Sequence, residues 1–217
     1  MAQPFQVELA YAAASATNIA QSQSPGAGAI TLNGSTVSGG IATLDAARRV
    51  LITSGSNDSG ITFTVNGTNR DKHTLAETVT GSSGSSVGTT QDFLTVTSVT
   101  HTGSVAGTVE VGTNGLGSSQ WYMVNQHTTP INLGVAVVVS GTINFTVEYT
   151  YDDPNNPFTG TFPTVFSQTA MASKTANTDA AATFDFPIFA IRLTQNSFTN
   201  PATASMIVIQ AGLGFGN

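Results

Sequence analysis

The residues that could act on a substrate are few in this sequence and lie far apart. Gly84-Ser-Ser-Val-Gly88 matches the G-x-S-x-G pattern, in which the serine is a nucleophile only where a strand enters the turn and a helix leaves it. The neighbouring residues are Gly and Ser, which predict a flexible loop instead. Asp58 and Asp71 lie at opposite ends of one predicted hairpin, so they do not form the carboxylate pair that acid–base catalysis uses. We therefore expect no enzymatic activity.

The metal-ligating residue types also lack the spacing of a metal site. The sequence contains no cysteine, which excludes thiolate ligands and disulfides. His73, His101 and His127 lie on separate predicted turns or strand ends, without the i, i+2 or i, i+4 spacing of a metal-binding pair. Asp152-Asp153 and Asn155 offer hard oxygen ligands but lack the glycine and the closing glutamate of a calcium loop. The sequence predicts a turn there, and no metal or other cofactor.

Two groups of residues are candidates for contacts with another protein. Arg48-Arg49 is the only adjacent basic pair. Arginine is enriched at interfaces, although an isolated pair of arginines at the start of a strand is usually solvated. Trp121, Tyr122 and Met123 form the densest aromatic cluster, which suits internal packing, a binding hot spot or stacking on a sugar. We predict Arg48, Arg49, Trp121 and Tyr122 as interface residues.

Composition limits the classes of partner. Six Lys and Arg against twelve Asp and Glu give a net charge of −6, which argues against a phosphate-binding surface and against nucleic acid as a partner. The N-terminal residues lack the basic and apolar regions of a signal peptide. No apolar run reaches the roughly 18 to 20 residues of a membrane helix. We expect a soluble chain that is made in a cytoplasm and binds no membrane.

The elements that carry these residues are predicted to be β-strands. Charged residues make up 8% of the chain, and its polarity comes from Thr, Ser, Asn, Gln and Gly, which suit twisted sheets and tight turns. Gly60–Gly67 alternates Ile, Phe and Val with polar residues, and the turn-forming run 66–72 leads into a strand at 73–80. The turn-forming run 54–60 predicts that the preceding strand returns as a third antiparallel strand of this meander.

From residue 30 onward, turn signals recur about every 8 to 12 residues, which is the spacing of a sandwich or barrel. We predict an all-β, antiparallel sandwich or jelly-roll-like protein. Its parts are an N-terminal arm at residues 1–29, a first β unit at 30–116 and a second β unit at 117–217, packed on the first. The Ala-, Ser- and Gln-rich arm fits a partly ordered tail or a segment that orders on a neighbouring subunit.

The second predicted unit contains the two most apolar strands. Ile143–Tyr151 places five large apolar or aromatic residues on one face, and such a stripe requires a partner sheet. Val135–Val139 is continuously apolar, which predicts a strand covered on both faces.

One part of the chain resembles a known family. Leu44–Gly84 and Thr89–Gly115 comprise an arginine-containing strand, a Gly-Ile-Thr-Phe-Thr-Val strand, a polar turn, the strand Thr-Leu-Ala-Glu-Thr-Val-Thr, a Gly/Ser loop and Phe-Leu-Thr-Val-Thr-Ser-Val. This pattern resembles virion structural proteins of tailed bacteriophages, in particular capsid decoration or cement-like β-sandwich proteins. Phe186–Leu193 and Ile207–Gly212 are similar to the same class.

The resemblance implies a place in a virus particle and brings no catalytic residue to this chain. It leads us to expect a non-enzymatic cement or decoration protein that reinforces the major capsid lattice, in a virion assembled in the cytoplasm of a bacterial host. The expected partners are the major capsid protein or other virion subunits, and further copies of the chain in a homo-oligomer. The expected contacts are an exposed apolar rim, the Arg48-Arg49 pair and the arm at residues 1–29.

Two alternatives fit the same features. One is a neck, tail or head-fibre component of the virion. The other is a carbohydrate-binding β-sandwich for host attachment, in which aromatic side chains near Trp121 and Tyr122, or near Tyr149 and Tyr151, stack on sugar rings.

Overall fold

The computed structural model describes residues 4–126, 128–154, 163–177 and 183–214, and these form antiparallel sheets. The predicted all-β fold is confirmed. Within these residues the one helical segment is the 3-10 turn Thr169–Met171, and no helix is long or apolar enough to span a membrane. The strands, in chain order, are β1 (Phe5–Leu9), β2 (Ser15–Gln23), β3 (Gly28–Ile30), β4 (Val37–Ser38), β5 (Ile41–Ser54), β6 (Thr62–Thr68), β7 (Thr74–Thr80), β8 (Ser86–His101), β9 (Val109–Thr113), β10 (Gly117–Ser118), β11 (Tyr122–Met123), β12 (Thr128–Thr150), β13 (Phe166–Ser167), β14 (Thr183–Phe184) and β15 (Ala190–Gly214).

The chain divides into two compact units, each with its own sheet. The first unit is Ala12–Gly117, and the second consists of residues 4–11 together with the described residues from 118 onward. The division after Gly117 lies one residue beyond the boundary expected after residue 116.

Residues 1–29 differ from the expected arm in the part that the structure describes. Strand β1 pairs with β15 along its length, from Phe5 opposite Val208 to Leu9 opposite Ala204. Strands β2 and β3 pair with β9 and β8 of the first unit. Because these backbone groups find hydrogen-bonding partners within their own chain, they are not left to order on a neighbour.

The sheet of the first unit contains the predicted hairpin but not the predicted meander. Strands β6 and β7 pair from Thr62 opposite Thr80 to Thr68 opposite Thr74, as expected. The expectation that β5 lies beside β6 is wrong, because the strand order is β2-β9-β5-β8-β6-β7 and β8 lies between them. Strand β8 pairs with β5 from Ser86 to Val96, with β6 from Thr95 to His101 and with β3 from Val99 to His101.

The core of the first unit is enclosed by this one sheet. The pairing of β5 with β8 shifts register between Thr43 and Arg48 and again between Arg49 and Leu51, and irregularities of this kind bend a strand and increase its twist. Every strand from β2 to β9 except the two-residue β4 contributes buried apolar side chains to one cluster: Ile19, Ala20, Ile30, Ala42, Leu44, Val50, Ile52, Phe63, Val65, Leu75, Phe93, Val96, Val99, Val109 and Val111.

The second unit is built on one long ribbon, the antiparallel pair of β12 and β15. A straight ribbon would place Leu133 and Tyr149 roughly 50 Å apart at about 3.3 Å per residue. Phe184 pairs with Leu133 through β14, yet its ring centroid lies 5.3 Å from that of Tyr149. The ribbon therefore folds back, so that its two halves face each other as a sandwich.

A second ring contact shows the same folding back. Phe5 lies opposite Val208 in one half of the ribbon, whereas Tyr122 lies opposite Ile191 in the other. Their rings nevertheless stack, with centroids 4.9 Å apart and planes 22° apart. The partner that the Ile143–Tyr151 stripe requires is thus the other half of its own ribbon.

The bend lies where the register shifts between Ser140 and Thr142. Gly141 has a φ of +78°, and a Cβ at this position would lie 2.5 Å from the carbonyl oxygen of Pro201. Only glycine fits this conformation and this close approach without strain.

One face of the apolar run Val135–Val139 remains uncovered. Val135 and Val137 are buried between the halves of the ribbon, whereas Val138 on the opposite face is 47% exposed. The expectation that both faces are covered is wrong, because the sandwich has two layers and the outer face of this half meets no third layer among the described residues.

Candidate functional site

The structure does not assemble the residues that resemble catalytic motifs. Ser86, the central serine of the G-x-S-x-G match, begins β8, and its Oγ lies 2.8 Å from that of Thr53. No helix follows it. Asp58 is buried and accepts the backbone N–H of Ala106 at 2.7 Å, while Asp71 is exposed in the turn after β6. Asp58 therefore fixes loops of the first unit and forms no pair with Asp71.

The histidines are likewise separate. His73 is exposed in the turn between β6 and β7. His101 is buried, its Nδ1 donates to the carbonyl of Gly103 at 2.6 Å, and its ring packs on Phe63. His127 lies outside the described residues. No group of three His, Asp or Glu side chains among the described residues is arranged to hold a metal ion.

The two adjacent arginines have different environments. The side chain of Arg48 is 1% exposed and donates to the carbonyl of Asn114 at 2.8 Å and to the carboxylate of Asp45 at 3.2 Å. This corrects the expectation that the pair faces a partner, because the alternation along β5 turns Arg48 inward. Arg49 points outward, 3.6 Å from the carboxylate of Asp92, and remains a predicted interface residue.

The aromatic pair Trp121 and Tyr122 is partly buried within the second unit. The guanidinium of Arg192 lies 4.5 Å from the centre of the Trp121 ring and donates to Glu148 at 2.7 Å. Thr194 donates to the same carboxylate oxygen at 2.7 Å. The ring stack of Tyr122 on Phe5 occupies one of its faces. Both residues remain interface predictions, with part of each side chain already used inside the unit.

Sequence reasoning missed this charged pair. Glu148 and Arg192 are 44 residues apart and become neighbours only through the register of β12 and β15. Each is a single charge within a largely apolar strand, and no local pattern links them. Only knowledge of the strand pairing would have found them.

An aromatic corner lies where β12 ends, and we define it as Tyr149, Tyr151, Phe166, Phe184 and Phe186. The ring centroids of contacting pairs are 5.3 to 5.8 Å apart. Tyr151 is 52% exposed and Phe166 is 41% exposed, while Phe184 is buried. Burial in the corner raises the pKa of Tyr149, and the neighbouring Tyr151 raises it further. The corner therefore has a buried base and an open aromatic edge.

A second uncovered surface lies on the outer face of the other half of the ribbon. Gly134 lies opposite Ile209, Ala136 opposite Ile207 and Val138 opposite Ser205, so the apolar side chains of Ala136, Val138, Ile207 and Ile209 share one face of the two strands. Val138 and Ile209 are each 47% exposed. We call Ala136, Val138, Ile207 and Ile209 the apolar strip.

Comparison with known proteins adds little. No protein-family model matches the sequence, and no curated protein is similar to it. Among solved structures, the chain is similar to the crystal structure of the major capsid protein P2 from bacteriophage PM2, with 9% sequence identity and a TM-score of 0.22, over 98% of this chain and 100% of that chain. A TM-score this low does not indicate a common fold.

Proposed function

We propose that this chain is a non-enzymatic structural protein of a tailed-bacteriophage virion, which binds the major capsid lattice as a cement or decoration protein. The observation that carries the proposal is the apolar strip, an exposed apolar surface on the paired strands β12 and β15. The resemblance of residues 44–115 to virion structural proteins supplies the biological setting.

The position of the apolar strip suits a protein contact. It lies on β12 and β15, and β1 extends the same face with the polar side chains of Gln6 and Glu8. The Ser205 hydroxyl donates to the carboxylate of Glu8 at 3.1 Å, so the polar side chains of β1 lie next to the apolar strip. An apolar centre with a polar rim is the usual composition of a protein–protein interface.

The size of the strip favours a contact that is repeated many times. Its exposed apolar area is on the order of 200 Å², which at about 25 cal/mol per Å² corresponds to roughly 5 kcal/mol. Association costs an estimated 4 to 15 kcal/mol, so one strip alone gives weak binding. A lattice of many copies, each held at more than one point, compensates for weak single contacts.

Charge contributes little to the proposed contact. The ion pairs found among the described residues join Arg48 to Asp45 and Arg49 to Asp92 in the first unit, and Arg192 to Glu148 in the second. Half of the six Lys and Arg residues, Arg48, Arg49 and Arg192, are therefore already paired internally. Binding to the particle should depend on apolar burial and hydrogen bonds, and should weaken only slightly at high salt.

Copy number tests the proposal and separates it from the alternatives. Quantitative mass spectrometry of purified virions should find the chain at a copy number close to that of the major capsid subunit. A copy number in the low tens would reject the cement role in favour of a neck, tail or head-fibre component. Absence of the chain from virions would reject the proposal altogether.

A further inference from the structure

We propose that the aromatic corner is a stacking site for a neutral glycan, with Tyr151 and Phe166 as the platform. This inference is independent of the proposed role in the capsid, since it concerns a different surface of the second unit. It rests on the ring geometry, the exposed area and the groups that adjoin the rings.

The ring geometry excludes a ligand that is held between two aromatic rings or enclosed by several of them. The centroid of Tyr151 lies 5.8 Å from that of Tyr149 and 5.5 Å from that of Phe166, with interplanar angles of 89° and 68°. A group held between two rings needs about 7 Å, because each apolar contact spans about 3.5 Å. These rings touch, so no ligand enters between them. A ligand can only lie on their outer surfaces.

The exposed area points to a small ligand. Tyr151 and Phe166 are 52% and 41% exposed, which amounts to on the order of 200 Å² for two aromatic side chains. Val165, 40% exposed, adds only a small area to this edge. The area of the platform matches that of one or two sugar rings.

Groups beside the rings suit the hydroxyls of a sugar. Asp152 and Asp153 are exposed and follow Tyr151 directly. The carboxylate of Asp152 accepts the backbone N–H of Thr164 at 2.6 Å, and the N–H of Asp152 donates to Thr150 at 3.0 Å. These bonds hold Asp152 directly after Tyr151, where its carboxylate can accept hydrogen bonds from sugar hydroxyls. A pyranose ring has one apolar face for stacking and hydroxyls at its edge.

The same carboxylates select against acidic sugars. Two adjacent Asp side chains, on a chain with a net charge of −6, repel uronic acids and sialylated glycans. The expected ligand is therefore a neutral hexopyranoside, and binding should change little with salt.

Saturation-transfer NMR with cellotriose, maltotriose, chitotriose and the anionic trigalacturonate tests the site. We expect at least one neutral trisaccharide to bind and trigalacturonate not to bind. Tyr151→Ala and Phe166→Ala should each weaken the binding at least about tenfold, and Tyr151→Trp should preserve it. Met123→Ala, which removes an exposed apolar side chain outside the corner, is the matched control and should leave binding unchanged.

Several outcomes would overturn the glycan site. The first is that no neutral trisaccharide binds at millimolar concentration. The second is that Tyr151→Ala binds the sugar as strongly as the wild type does. The third is that arginine methyl ester, a cationic probe, binds more strongly than the sugars. Circular dichroism of each variant shows whether the fold is intact. Should Phe166→Ala unfold, Phe166→Leu keeps an apolar side chain and should still lose the stacking. Particle association is measured separately, so failure here leaves the capsid role untouched.

Discussion

At the scale of single residues, the neighbours Arg48 and Arg49 show how strand alternation assigns different roles to identical side chains. Arg48 holds the carbonyl of Asn114 in the segment that follows β9, whereas Arg49 forms a long, partly exposed ion pair with Asp92. A hydrogen bond made by a buried charged group contributes more to stability than an exposed ion pair does. The sequence shows the pair but not which member is buried.

Replacing Arg48 should therefore destabilise the protein far more than replacing Arg49. We expect Arg48→Met to lower the free energy of unfolding by about 2 to 4 kcal/mol. Arg49→Met should lower it by less than about 1 kcal/mol. Urea denaturation followed by circular dichroism measures both. Equal losses of unfolding free energy in the two variants would show that the hydrogen bonds of Arg48 stabilise the fold no more than the ion pair of Arg49 does.

Tyr149 offers a second test at the residue scale. Burial raises its pKa above the ordinary value of about 10, so the folded state retains a proton that the unfolded state loses. Its contribution to stability is thus fully present below about pH 10 and is lost as the pH rises through the folded pKa. Spectrophotometric titration of phenolate should show that Tyr149→Phe removes a component with a midpoint above about pH 10. Loss of a component at or below about pH 10 would contradict the burial of this ring.

At the scale of elements, the ribbon of β12 and β15 explains how much of the fold the sequence could predict. Alternation in Ile143–Tyr151 predicted a half-buried strand, because a period of two is a local property. The folding back of the ribbon was not predictable, since it depends on ring contacts between residues more than 30 positions apart, such as Tyr149 and Phe184. Strand β1 was missed because its partner, β15, is almost 200 residues away.

The bend at Gly141 is the test at this scale. Gly141→Ala places a Cβ against Pro201 in a left-handed backbone conformation, and should lower the free energy of unfolding by about 2 kcal/mol or more. Gly134→Ala, in the same strand, brings its Cβ only to 3.8 Å from the carbonyl oxygen of Ile209, its nearest atom apart from the chain neighbours, and should change stability by less than about 1 kcal/mol. Thermal unfolding compares the two. Equal tolerance would mean that the ribbon does not bend at this point.

At the scale of the whole molecule, the two units differ in whether they are formed by one continuous segment of the chain or by two separate segments. The first is continuous from Ala12 to Gly117, whereas the second needs residues 4–11 because β1 forms one edge of its sheet. The boundary near residue 117 was expected from the turn-forming residues Asn114-Gly115. The crossing of the N-terminus into the second unit was not, since no local signal specifies a partner strand.

Separate expression of fragments tests this division. The fragment 12–117 should fold on its own, with a β-type circular dichroism spectrum and cooperative unfolding, because its core cluster is complete. The fragment 118–217 should be less stable than a version in which residues 1–11 are supplied through a linker. A fragment 12–117 that remains unfolded would show that the first unit is not an independent domain.

The aromatic corner and the apolar strip were only partly predictable. Tyr149 and Tyr151 stood out in the sequence as aromatic residues of one stripe, but Phe166 reaches them only through the pairing of β13 with β12. Val138 was expected to be covered, because a continuous apolar run does not show how many layers a sheet stack contains. The residue pattern of a strand shows which side chains share a face, whereas the pairing and packing of distant strands determine which faces remain exposed to solvent.

The most direct test of the central claim, that the apolar strip attaches this chain to a virus particle, is the incorporation of a charged variant. Val138→Lys places a charge on the strip, and Ile41→Lys places one at an exposed apolar position of the first unit as the matched control. Both variants should fold, because both side chains are exposed. Mass spectrometry of purified virions should find Ile41→Lys at the wild-type copy number and Val138→Lys reduced at least tenfold. Equal incorporation of the two variants would contradict the account.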